Sequence, residues 1–101
     1  MRIEFLYFEG CPSWKNAYSN LIQVLKEEGV KAEIEMIKVT DREHAEKVKF
    51  SGSPSIRIDG EDIEGKVEEG YAMRCRIYQT PDGSKGWPSK DMIRMAIKNK
   101  I

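Results

Sequence analysis

The alternation of hydrophobic and polar positions divides the chain into stretches of different period. Ile3 to Phe8 is β-branched and aromatic, apolar on both faces and interrupted only by Glu4. That is the pattern of a central strand covered on both sides. Gly10 and Pro12 end it. From Trp14 the apolar residues recur at Ala17, Tyr18, Leu21, Ile22 and Leu25, a spacing of three and four that lays one stripe along a helix. Gly29 fits the C-terminal stop of that helix. Pro12 suits its first turn, where a missing N–H costs nothing. Lys31 to Val39 predicts a second strand. Thr40 and Glu43 have capping-box spacing and predict a short helix through Lys49, with Ala45 and Val48 inward.

Ser51 to Pro54 reads as a loop, Ser55 to Asp59 as a short strand ending at Gly60, and Glu61 to Gly70 as an acidic, glycine-containing excursion. Tyr71 to Gln79 alternates. Tyr71, Met73, Cys75 and Ile77 share an apolar face, and Ala72, Arg74, Arg76 and Tyr78 share the other. Pro81-Asp82-Gly83 predicts a turn. Ser89 is placed to cap a last helix carrying Met92, Ile93, Ala96 and Ile97, with Asp91 near its start and Lys98 and Lys100 near its end, as the helix dipole favours. The expected order is β-α-β-α-β-β-α. It predicts an α/β fold: a mixed four-stranded sheet with helices on both faces.

Composition narrows the picture. The 101 residues suffice for one domain, residues 1–101, with one modest core. Lysine plus arginine and aspartate plus glutamate number 17 each, so no net charge draws the chain toward nucleic acid or an anionic membrane. The longest apolar run is far short of the ~20 residues that span a bilayer. It also lacks the pattern of a signal peptide. The expected location is the cytoplasm, where the two cysteines, Cys11 and Cys75, would be kept as thiols. With those two and His44, the sole histidine, no Cys/His metal cluster is spaced in the sequence. His44 reads as a solvated surface residue. No reading of the residues requires a cofactor.

Cys11 carries the candidate chemistry. It falls at or beside the start of the first helix, where unpaired N–H groups and about half a positive charge favour a thiolate. Glu9 would oppose that effect and Lys15 would assist it. The bland reading makes Cys11 a small buried hydrophobe, against which Gly10 and Pro12 mark a loop edge.

Three local signatures, in this element order, resemble the thioredoxin-like superfamily. Phe8-Glu9-Gly10-Cys11-Pro12-Ser13-Trp14 lies at the strand-to-helix junction where that family carries Cys-x-x-Cys. Gly52-Ser53-Pro54-Ser55-Ile56 looks like its cis-proline loop, and Gly86-Trp87-Pro88-Ser89 like its approach to the last helix. Within that superfamily, the chain resembles small members related to the thioredoxin-like domain associated with alkylmercury lyases. The resemblance implies a cis Pro54 facing Cys11, with the backbone of Ser53 open to an extended substrate. Pro12, Ser13 and Trp14 would then line the site. One departure matters: Trp14 stands where the second motif cysteine belongs, so the usual local dithiol cannot form.

Cys75, on the apolar face of its alternating run, reads as structural; the rival reading makes it the resolving partner of Cys11. In the family fold the fourth strand lies two strands from the first, a gap of about 9–10 Å. A disulfide needs Cα atoms within about 7 Å, so a regular sheet disfavours the bond. An irregular 61–70 stretch would relax that limit. Three functions follow. The first is thiol–disulfide exchange or redox sensing through Cys11, with a protein or small-molecule thiol as partner. The second is a soft-metal or metalloid module using both cysteines. The third is a non-catalytic interaction domain.

Overall fold

The computed structural model describes residues 1–65 and 70–100. Its centre is β1 (Arg2–Tyr7), in which Ile3, Phe5 and Leu6 are fully buried. A strand apolar on both faces belongs between two neighbours and under two layers, and β1 has both. The helix α1 (Trp14–Glu27) crosses over to β2 (Glu33–Lys38), which runs parallel to β1 with Ile3 beside Ile34 and Phe5 beside Met36. On the other side β3 (Ser55–Ile58) runs antiparallel, with Ile3 beside Ile58 and Phe5 beside Ile56. A two-residue strand, β4 (Glu61–Asp62), pairs antiparallel with β3 and completes the order β2-β1-β3-β4. The molecule is therefore mixed α/β with a four-stranded mixed sheet and, among the described residues, three helices.

The pleat sorts the core into two layers. Ile3, Phe5, Ile56 and Ile58 face Ala17, Leu21, Val24 and Leu25 of α1 and Ile93 and Ile97 of α3 (Lys90–Lys98). On the opposite face Leu6 packs with Val39, Phe50 and Ala45 of α2 (Arg42–Lys47). Among the described residues no helix is long and apolar enough to cross a membrane.

Two helix ends follow the expected chemistry and one differs. Gly29 follows α1 with φ +62°, and Val30 N–H reaches back to the Leu25 carbonyl at 3.0 Å; this is the left-handed cap glycine serves best. Ser89 Oγ accepts the Met92 N–H at 3.2 Å and opens α3. At α2 the cap is Asp41, not Thr40: Asp41 Oδ1 accepts the His44 N–H at 2.7 Å. A carboxylate is the stronger acceptor at a helix N-terminus, and it displaces the expected capping box by one residue.

The second half departs further from expectation. The fourth sheet strand is Glu61–Asp62 rather than Tyr71–Gln79. Of the longer run only Tyr78–Thr80 is a strand, β5, and it pairs with β6 (Gly83–Lys85) in a separate hairpin across the predicted turn. The expected excursion begins with β4, and its residues 66–69 lie outside those described.

Candidate functional site: a disulfide beside the Gly52–Pro54 loop

The loop between β1 and α1 positions Cys11. Its N–H bonds the Phe8 carbonyl at 3.3 Å, and its own carbonyl receives the Trp14 N–H at 3.4 Å. The chain thus turns into the helix immediately after Cys11. The N-cap is Ser13, whose side chain makes no capping bond, so Cys11 stands two residues ahead of the N-cap. Cys11 is only 1% exposed. Glu9 is drawn away to Lys38 at 3.1 Å, and the Lys15 ammonium lies 6.0 Å from the Trp14 ring.

Opposite Cys11 lies the turn into β3. The Ser53–Pro54 peptide bond is cis, and both residues are buried. The backbone of Ser53 is already occupied by the chain itself. Its N–H donates to the Arg74 carbonyl at 2.8 Å, and its carbonyl accepts the Arg76 N–H at 2.9 Å. This parallel bridge sets Cys75 beside Ser53. The expectation that Ser53 offers its backbone to an outside strand is corrected here: residues 74–76 fill that position. Gly52 makes the approach possible. Its φ of +132° is closed to most side chains, and a Cβ there would stand 3.2 Å from Arg76 Cβ and 3.4 Å from the Arg74 carbonyl.

In this arrangement Cys11 and Cys75 form a disulfide, with 5.8 Å between Cα atoms and a sequence separation of 64. The expectations that Cys75 lies on a regular strand and that both sulfurs are free thiols are corrected. The lateral gap that disfavoured the bond belonged to a sheet strand, and residues 71–77 are not one. They run back across the 51–53 loop, held also by the Ala72 N–H to the Phe50 carbonyl at 3.1 Å and by the Arg74 guanidinium on the carbonyls of Ser51 and Gly70.

From Cys75 to Tyr78 the faces of this run are inverted relative to the alternation, while Met73 keeps its inward packing on the Leu6–Phe50 cluster. Arg76 and Tyr78 are buried, while Cys75, Tyr71 and Ile77 are exposed. The inversion has a specific cause. The Arg76 guanidinium grips Asp62 with two bonds of 2.7 and 2.8 Å, reaches Glu64 at 2.9 Å, and donates to Ser55 Oγ at 3.0 Å. Ser55 in turn donates to the Gly52 carbonyl at 2.6 Å. A forked guanidinium matched to a carboxylate is the strong form of this contact. Burial alone would lower the pKa of Arg76, but the bonds and charges of Asp62 and Glu64 outweigh it and hold the group above its ordinary value. The guanidinium also lies 4.7 Å from the Tyr78 ring. Burial raises the pKa of the Tyr78 phenol, which the Arg76 charge only partly opposes. Tyr78 stays a neutral donor, bonded to the Pro54 carbonyl at 2.5 Å.

Among the other expected site residues, Pro12 is exposed and Ser13 half-buried, close against Gly86, where a Cβ would come within 2.5 Å of Ser13 Oγ. Trp14 is half-buried and packs on Tyr7 at 4.4 Å and Phe5 at 6.4 Å between ring centroids, so its ring serves the core. His44 accepts the Thr40 N–H and is remote from the cysteines in its contacts. Arg76, Asp62, Glu64 and Ser55 were not anticipated. Their only sequence signal is an arginine within an alternating run that follows an acidic stretch. Among the described residues no group of three or more His, Cys, Asp or Glu side chains is placed to hold a metal ion.

No family model, curated protein or solved structure matches the chain.

Proposed function

We propose that this chain is a thioredoxin-like thiol-redox protein whose working couple is the Cys11–Cys75 disulfide and its dithiol. The observation that carries the reading is the pair itself: two distant cysteines, one buried ahead of α1 and one exposed, brought to 5.8 Å between Cα atoms. The strand order β2-β1-β3-β4, with the cysteine loop leaving the central strand, supports the thioredoxin-like part of the reading. A missing local partner at Trp14 is then supplied from the far side of the chain by Cys75. The reaction is a two-electron exchange. The dithiol reduces an external disulfide to two thiols and becomes the intramolecular disulfide, and two external thiols reverse it.

The test is equilibration in glutathione buffers with thiol counting, together with reduction of insulin. The dithiol is expected to form reversibly in the folded protein, and Cys11→Ser and Cys75→Ser are each expected to abolish turnover. A disulfide that resists exchange across the whole range of buffers while the protein stays folded sinks the proposal. So does a reduced protein that leaves insulin intact. Once reduced, the same two sulfurs also offer a pair of thiolates to a soft ion. Mercuric-ion capture no tighter than by a single-thiol control protein removes that second reading.

A further inference from the structure

The two cysteines of the couple differ in exposure, and the difference runs opposite to the role that the helix mouth suggests. Cys11 is 1% exposed, enclosed between the start of α1 and the Gly52–Pro54 loop, and its Sγ lies 3.8 Å from the Ser53 carbonyl oxygen. Cys75 is exposed, on a segment whose neighbours face inward. An attacking thiolate must reach the sulfur it attacks, and access is one of the terms that set the rate.

From this geometry, and resting on the reading of the pair as a redox couple, we propose that Cys75 is the catalytic sulfur that meets the external thiol or disulfide, and that Cys11 is the buried resolving thiol. In the reductive direction an external thiolate attacks Cys75 Sγ. A new sulfur–sulfur bond forms there, the Cys11–Cys75 bond breaks, and its electron pair leaves on Cys11, which takes a proton from solvent. A second external thiolate attacks the external sulfur of the mixed disulfide and releases Cys75. In the oxidative direction the Cys75 thiolate attacks an external disulfide and expels one thiolate. Cys11, deprotonated, then attacks Cys75 Sγ and expels the second.

Arg76 is the positioning residue for this role. Its bonds to Asp62, Glu64 and Ser55, and the bridge from its N–H to the Ser53 carbonyl, involve neither sulfur. They persist when the disulfide opens, so the reduced Cys75 stays presented beside Cys11 instead of swinging away.

Limited alkylation of the fully reduced wild-type protein with substoichiometric iodoacetamide, followed by peptide mapping, reads the order of reactivity directly. Cys75 is expected to be modified at least tenfold faster than Cys11. In parallel, the Cys11→Ser protein mixed with glutathione disulfide is expected to carry one glutathione on Cys75, stable until reductant is added. The Cys75→Ser protein is expected to acquire it at least tenfold more slowly on Cys11. Equal labelling, or labelling of Cys11 first, overturns the assignment even if the couple exchanges with glutathione as proposed above. Arg76→Ala is expected to shift the glutathione equilibrium at least tenfold toward the dithiol. An unchanged equilibrium removes Arg76 from the positioning role.

Discussion

At the scale of single residues, the site depends on a glycine and an arginine more than on the cysteines' own surroundings. Gly52 combines a left-handed φ with a close approach to residues 74 and 76. Gly52→Ala adds backbone strain and a methyl group 3.2 Å from Arg76 Cβ, tighter than ordinary van der Waals contact. It is expected to cost roughly 1–3 kcal/mol in urea denaturation of the oxidised protein. An unchanged midpoint would mean that the 74–76 segment moves freely. Arg76 shows why the inward face of this run differs from the one its alternation predicts. Alternation reports which residues share a face, and hydrophobicity then assigns the buried one. Here the buried face holds a cation, because Asp62, Glu64 and Ser55 supply it with partners. Those partners come from outside the run, so the run itself carries no sign of them.

At the scale of elements, helix ends and helix pairing decide local stability. Lys49 follows α2 with φ +59°, and Phe50 N–H closes the turn on the Ala45 carbonyl at 2.8 Å. A lysine there occupies the position glycine fills best, so Lys49→Gly is expected to stabilise the protein by about 1 kcal/mol. A rise in melting temperature checks it. Between α1 and α3, Glu27 binds Lys90 and Arg94, each at 2.6 Å. The hydrogen bond from Lys90, with help from Arg94, holds the Glu27 carboxyl below its ordinary value. A carboxyl with a depressed folded pKa stabilises above its unfolded value and loses that contribution as the pH falls through the folded one. Glu27→Gln is therefore expected to flatten the acid limb of the stability profile below about pH 4 and to leave its neutral and alkaline slope unchanged. Denaturation across pH, compared with wild type, reads the difference. These contacts also explain which elements were legible. α1 and α3 carry strong apolar stripes and capping residues, whereas β4 has two residues and no period.

At the scale of the molecule, the disulfide is a covalent tie between remote segments. It joins positions 64 residues apart and fastens the 71–77 segment, which contributes little to either core layer, to the approach of α1. Closing a loop of that length removes denatured-state entropy worth about 4 kcal/mol in the chain-entropy model. Reduction is expected to lower the unfolding free energy by up to that amount, and Cys75→Ser to match the reduced wild type. A loss near zero would mean that the Arg76 clamp and the Ser53 bridge already order the segment without the bond. The same architecture links stability to redox state: a couple whose oxidised form is the more stable fold is harder to reduce.

The amino-acid sequence by itself determined the central strand, the two long helices and their caps, the Pro81–Gly83 turn, and the placement of Cys11 just ahead of α1. Each rests on contacts within a few residues or on a period that survives along one element. The tertiary structure alone decided that Cys75 meets Cys11, that Cys11 is buried and Cys75 exposed, and that the chain itself occupies the backbone of Ser53. Those outcomes depend on where residues 71–77 cross the 51–53 loop. That crossing is set by a buried ion pair and a glycine's free space, both formed between segments remote in sequence.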